Sequence, residues 1–512
     1  MSDKRRIVVN TLANGVAQFA QMLTALVFMP FLIKGLGGTN YGLYLLATST
    51  SSFAVLLDLG VGAAVTKMTA GTTATSDRDA EGRVVSSAFA FYLVIGVVAA
   101  AILATLAMNT GTFFTTTTPD QARLLRNLFL VAAVWQLWIW PATTASAVLR
   151  GKQRFTQTSM TALLAVGLNI GVTIAVLVTH QGPLMLMIGS ISASFVASAI
   201  EVVLARGALR GVHLSRRLVD MTSFKSIFHF AWAVFAIQVS TIIVYQATDR
   251  LVIGVALGAL AVTLYEAAGK FQGLISQLTT FSVSAVMPLA SQMGAEGRQE
   301  SLRQLFLRGT KYCLMLLTPV VVVLMIVARP LLLAWLGPMF AAQAIAAQLL
   351  ISHQLLTAGT AVGASMVLGL GQLKRRVPYA IGVAALNLTI SITLVRSLGI
   401  LGVVLGTMIP WVIDYPFHMR LILRVLDVPL ARWVRETVLP TYPLLALPGL
   451  LSWGLLATPL KASLWGIAVI GIVSVGAYWA AVYAFAFQPH ERTDVRAALT
   501  AGWAKIRGVS AT

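Results

Sequence analysis

The sequence predicts an all-α polytopic membrane protein with about fourteen transmembrane helices, and three observations carry that reading. First, 58% of the 512 residues are hydrophobic and 11% are charged, with a mean hydropathy of +0.84; a soluble chain needs about 25% charged residues to cover its surface. Second, apolar runs of about 20 residues, long enough to cross the hydrocarbon core, recur along the whole chain. Third, Lys and Arg collect on alternate loops, as the positive-inside rule requires.

The run 8–33 follows the basic start Lys4-Arg5-Arg6 without a small-residue cleavage site, so it is expected to stay as a first helix and not to be removed as a signal peptide. The glycines from Gly35 to Gly38 separate it from 41–65, which precedes the basic segment of Lys67, Arg78 and Arg83. The run 86–108 ends at the loop Asn109–Arg123, and 124–148 ends at Arg150, Lys152 and Arg154. The runs 157–179 and 184–205 lead to the segment Arg206–Lys225, read as an interfacial amphipathic connector. Next come 226–248 and 262–291, divided by Asp249-Arg250, then 309–328, 343–368, 377–395 and 400–419. The stretch Arg420–Arg435, with Trp433 between Arg432 and Arg435, suits the headgroup zone. The last runs are 438–456 and 463–487.

If the N-terminus is cytoplasmic, the outer side holds only Lys34, Arg123, Arg126, Arg250, Arg329, Arg396 and Lys461 of the 37 Lys and Arg. That asymmetry orients the chain with both termini inside and explains a net charge of +20 without nucleic acid as a partner. The single cysteine, Cys313, lies inside a run and reads as a packed thiol.

The chain also repeats itself. Leu36-Gly37, Leu43-Tyr44 and Ala47 match Leu257-Gly258, Leu264-Tyr265 and Ala268 at a constant spacing, and Leu168-Asn169 matches Leu386-Asn387. Six spans are an even number, so the halves share one orientation. The expected plan is an N-terminal lobe at 1–222, a C-terminal lobe at 223–424, and two extra helices with a tail at 425–512.

Polar faces single out a candidate cavity. A charge at mid-bilayer costs about 2.5–3.5 kcal/mol on insertion scales, so it is expected to face other helices or trapped water. Glu266, Lys270, Gly273, Gln277, Thr280 and Ser284 share one helical face. Asn10, Asn14, Gln21 and Thr24 share another, as do Tyr44, Thr48, Ser51 and Asp58, and Gln238, Tyr245 and Asp249. The first, second, seventh and eighth spans are therefore read as the lining and the others as packing. Asp414, on the twelfth, is read as structural.

Catalytic chemistry is not indicated. The glycine clusters lack the strand and the Lys-Ser/Thr of a phosphate loop, the six histidines have no ligand spacing, and no nucleophile motif occurs. The chain is read as a non-enzyme that needs no cofactor and no metal.

The N-terminal pattern Asn10, Asn14-Gly15, Pro30, Leu36-Gly37, Tyr41-Gly42-Leu43-Tyr44, Leu57-Asp58-Leu59-Gly60 and Lys67 resembles the signature of bacterial polysaccharide flippases. These belong to the multidrug/oligosaccharidyl-lipid/polysaccharide exporter superfamily. Asp249-Arg250-Leu251-Val252-Ile253-Gly254 and Tyr265 resemble the matching signature of the second half. The resemblance implies translocation of an undecaprenyl-diphosphate-linked oligosaccharide from the cytoplasmic to the periplasmic leaflet of a bacterial inner membrane, for capsule, exopolysaccharide or O-antigen. It implies alternating access driven by an ion gradient, with membrane lipids and the polysaccharide polymerase and chain-length machinery as partners, and a monomer suffices. A proton- or sodium-coupled multidrug exporter and a flippase for a lipid-linked peptidoglycan precursor are the alternatives.

Within that reading Lys270 either meets the diphosphate or neutralises Glu266, and the two roles are compatible. Asn10, Asn14, Gln21, Thr48, Ser51, Gln238 and Gln277 either bond sugar hydroxyls or bond between helices. Asp58, Asp249, Arg250 and Glu266 are candidates for ion coupling or gating, weighed against caps and structural ion pairs.

Overall fold

The computed structural model describes residues 3–213, 215, 218–221, 225, 248–487 and 491–492; side chains are described from residue 20 on, without 373 and 374. Asn10, Asn14, Gln238, Tyr245 and most of the expected seventh span lie outside the described side chains. Among the described residues, eleven helices are long and apolar enough to cross a membrane, or up to twelve when one bent pair is taken as a single span.

Two compact units divide the chain. Unit 1 comprises Met1–Ala267 and Val377–Pro410, and unit 2 comprises Ala268–Arg376 and Trp411–Thr512. Unit 1 holds α1 (Asp3–Leu36), α2 (Gly38–Ser52), α3 (Val61–Thr75), α4 (Arg78–Met108), α5 (Pro119–Gly151), α6 (Phe155–Val178), α7 (Pro183–Ala208), α8 (Thr248–Leu257) and the start of α9 (Ala259–Val283). Unit 2 holds the rest of α9, then α10 (Val286–Ala295), α11 (Gln299–Leu336) and α12 (Ala344–Gly369). Unit 1 also takes α13 (Val377–Leu398) and the first part of α14 (Ile400–Leu426); unit 2 takes the remainder of α14, α15 (Leu430–Leu455) and α16 (Leu464–Ala486).

Local chemistry sets the helix starts. Asp77 accepts a bond from Ala80 N at 2.9 Å, with Asp79 and Glu81 in the first turn of α4, where carboxylates meet the positive end of the helix. Thr118 and Gln121 form a reciprocal capping box before α5, with Pro119 at the first helical position. The repeat noticed in the sequence is also a repeat of geometry. Gly37 (φ +83°) separates α1 from α2, and Gly258 (φ +89°) separates α8 from α9. Both positions need the left-handed backbone that glycine adopts without strain.

The expected second span, 41–65, is a broken one. A six-residue 3₁₀ turn, Phe53–Asp58, follows α2, then Leu59 and Gly60 both take left-handed conformations, and α3 leaves at 47°. Hydropathy could not show this, because the residues around the break are as apolar as those beside it.

Unit 1 is packed through small residues. A Cβ on Gly96 of α4 would stand 2.9 Å from the Gln136 carbonyl of α5, and Ala99, Ala132 and Ala133 are buried close by; close backbone approach of this kind drives helix association where lipid offers no hydrophobic gain. The outward residues of α4, such as Val94 at 60% exposure, are apolar, as a lipid-facing surface requires. A Cβ on Gly42 would fall 1.9 Å from the Ala259 carbonyl oxygen. Gly42→Ala is expected to push α2 away from α9 and destabilise the purified protein by about 1–3 kcal/mol in a denaturation series.

Unit 2 is centred on α11. The buried Lys311 Nζ lies 2.9 and 2.8 Å from the two carboxylate oxygens of buried Glu491, and Tyr312 Oη donates to the same carboxylate at 2.6 Å. Arg376 forms a two-pronged pair with Asp414, at 2.7 and 2.5 Å. The structural reading of Asp414 agrees with that pair.

Candidate functional site

A cavity of about 880 Å³ opens within unit 1, lined by α2, α3, α5, α7 and the turn after α2. Hydroxyls dominate its polar wall: Thr48, Ser51 and Ser52 beside Thr66, Thr143, Ser190 and Ser194. The α2 hydroxyls bond back along their own helix, Thr48 to the Tyr44 carbonyl at 3.0 Å and Ser51 to the Ala47 carbonyl at 2.8 Å. Trp135, Trp140 and Ile139 of α5 supply an apolar and aromatic wall.

Asp58 sits on this cavity and is held from two sides. Tyr92 Oη donates to its Oδ1 at 2.5 Å, and the Gly62 backbone N–H donates to the same oxygen at 3.3 Å, at the start of α3. Tyr92 is fully buried and stacks on Trp140 with ring centroids 5.8 Å apart. The carboxylate therefore meets a helix N-terminus, a favourable position for an anion. Two cations, Lys67 of α3 and Arg150 in the last turn of α5, line the same space and are exposed.

A second polar cluster joins α2, α8, α9, α13 and α14 within unit 1. Arg250 Nη2 lies 2.7 Å from Glu266 Oε2, and Arg250 Nη1 donates to Ser49 Oγ at 3.0 Å. Tyr265 Oη and Thr407 Oγ1 both donate to Asp249 Oδ2, at 2.6 and 3.0 Å, and Asn387 Nδ2 donates to Thr407 Oγ1 at 3.0 Å. Asp249 Oδ1 is shut from solvent and has no hydrogen-bond partner among the described residues. Thr263 Oγ1 donates to the Gly38 carbonyl at 2.7 Å, tying α9 to the start of α2.

The structure thus gathers Thr48, Ser51 and Asp58 on one cavity and Asp249, Arg250 and Glu266 in one network. Glu266 meets Arg250. Lys270 and Gln277 lie on the part of α9 that belongs to unit 2, the first half-buried and the second exposed. Gln21 is exposed on α1.

Sequence reasoning assigned the fourth and sixth spans to packing, yet α5 and α7 contribute Trp135, Gln136, Trp140, Thr143, Ser190 and Ser194 to the cavity. The signal on α5 was present: Gln136, Trp140 and Thr143 are spaced by four and three, one helical face. Arg150 closes the apolar run and so carries the pattern of a loop charge, yet it stands in the last turn of α5.

A family model described as "polysaccharide biosynthesis protein" matches residues 36–344. Comparison with curated proteins finds no match. Among solved structures, the lipid II flippase MurJ in an inward closed conformation aligns with a TM-score of 0.70, over 93% of this chain and 99% of its own, at 14% identity. An inward-facing multidrug resistance MATE family transporter of the MOP superfamily aligns at 0.64, over 80% and 95%, at 18% identity. A MOP superfamily transporter from Pyrococcus furiosus, reported with a binding pocket of reverse polarity, aligns at 0.56, over 83% and 97%, at 17% identity. At these identities the likeness is one of fold.

Proposed function

The chain belongs to the polysaccharide biosynthesis protein family, and from that premise we propose that it flips an undecaprenyl-diphosphate-linked oligosaccharide from the cytoplasmic to the periplasmic leaflet of a bacterial inner membrane. At the coarser level it is a multi-pass membrane transporter linked to polysaccharide biosynthesis. The observation that carries the finer reading is the unit 1 cavity, where a hydroxyl wall and indole rings suit sugars while Lys67 and Arg150 suit a diphosphate. Among the described residues its one lining carboxylate, Asp58, is engaged by Tyr92 and Gly62. The fold shared with a lipid II flippase supports a lipid-linked cargo.

In this reading the halves 1–222 and 223–424 rock against each other, with the helices of 425–512 beside them and both termini cytoplasmic. The matched breaks at Gly37 and Gly258 support the repeat that such a motion uses. On their own elements, Lys270 is kept as a candidate cation for a diphosphate, and Gln21 and Gln277 as candidate sugar contacts. Handover to a polymerase and chain-length machinery follows on the outer side.

Asp249 is the candidate for ion coupling, since its carboxylate has neutral hydroxyl donors on one oxygen and, among the described residues, no partner on the other, buried one. Asp249→Asn is expected to keep the protein in the membrane and to remove the dependence of transport on the proton gradient, read as oligosaccharide export before and after addition of a protonophore. Unchanged sensitivity to the protonophore would refute the assignment.

A deletion strain tests the proposal itself. Lipid-linked oligosaccharide should accumulate in the cytoplasmic leaflet, shielded from a membrane-impermeant lectin, and the wild-type gene should restore labelling. Normal labelling in a strain without a redundant flippase would reject the reading. The multidrug fold relatives keep drug export as a second reading, and cation-dependent efflux of organic cations would favour it.

A further inference from the structure

Unit 2 carries a second amphipathic site at the end where the chain turns from α14 into α15. The turn is made by Asp427, in a left-handed conformation, and by Val428-Pro429. It leaves a groove of about 980 Å³ with an apolar floor of Met419, Leu423 and Val428. Four arginines line the groove: Arg303, Arg420, Arg424 and Arg432.

These four are not equivalent. Arg303 pairs with Asp427 and with Glu300, and Arg432 pairs with Glu436 at 2.9 Å and with Glu300 at 3.6 Å. Arg420 and Arg424 stand one turn apart on α14, exposed, with no carboxylate on either among the described residues. Trp433, at 7% exposure, lines the same groove, and its indole Nε1–H has no acceptor among the described residues. Two guanidiniums with no carboxylate on them among the described residues thus border a single space beside the Trp433 ring.

We propose that this groove binds the phosphate headgroup of an anionic phospholipid. Charge complementarity selects the headgroup, because Arg420 and Arg424 remain cationic after every carboxylate near the groove has been matched. The surrounding surface selects a lipid over a free anion. On the same helix Val412, Ile413 and Phe417 are at least half exposed, and Leu430 and Leu439 of α15 extend the apolar face at 57% and 58%. Acyl chains would cover that surface while the phosphate reaches the arginines, and the indole of Trp433 suits the same depth. The site stands independently of what the protein transports.

The test is native mass spectrometry of the purified full-length protein titrated with short-chain phosphatidylglycerol, phosphatidylcholine or inorganic phosphate. Phosphatidylglycerol is expected to bind in preference to phosphatidylcholine, and the double variant Arg420→Gln/Arg424→Gln is expected to weaken it about 25-fold, from about fivefold per lost charge at a membrane surface. Arg420→Lys/Arg424→Lys, which keeps both charges, should retain most of the affinity and controls for folding. Equal binding of phosphatidylcholine, displacement by inorganic phosphate at matched concentration, or an unchanged affinity in the glutamine variant would each overturn the proposal.

Discussion

With Lys67 and Arg150 both replaced by glutamine, outward presentation of lipid-linked oligosaccharide is expected to fall by about 100-fold while the protein level in the membrane stays unchanged. In the proposed reading each cation would donate to a phosphate oxygen, and a charge-assisted bond of that kind contributes about 1.5–3 kcal/mol. Two such losses at the low end already reach two decades in rate. Both side chains are exposed on the cavity, so removing them leaves no buried void. The single variants should show smaller, separate losses, measured by impermeant-lectin labelling in the deletion strain. Near-normal labelling by the double variant would remove the diphosphate from this cavity.

The second large effect concerns stability. Glu491→Gln is expected to destabilise the purified protein by about 3–5 kcal/mol, because it leaves the Lys311 ammonium buried without its counter-charge. The side chains are 9% and 8% exposed, so solvent offers little screening. Removing both charges in Lys311→Met/Glu491→Gln should recover much of the loss, since no buried charge is then left without a counter-charge. A denaturation series on both variants measures this. A double variant as unstable as the single one would mean that the pair contributes through Tyr312 and the neighbouring Phe487 ring and not through charge.

The sequence announced most of the helices because lipid does the reading: a span such as α4 must be apolar on every outward face, whatever its neighbours. Asp58 and Arg250 were legible for the complementary reason, since an ionisable group amid apolar residues demands a partner. The identity of that partner was not legible. Tyr92 comes from a run with no polar stripe and reaches Asp58 only because α3 packs on α4. Lys311 and Glu491 are both ordinary charges in sequence, far apart in the chain, and only the placement of Glu491 against α11 joins them. The break at Leu59-Gly60 stayed hidden because hydropathy is blind to backbone handedness.

The hydroxyls of the unit 1 cavity have a further consequence. Thr48, Ser51 and Thr66 spend their protons on carbonyls of their own helices, so each presents only lone pairs and carbon to the cavity. Toward these three side chains a guest must bring its own donors, as every sugar ring does. Such a wall registers that hydroxyls are present without fixing whether each is axial or equatorial, and it would admit epimeric repeat units that a rigid array of donors would sort.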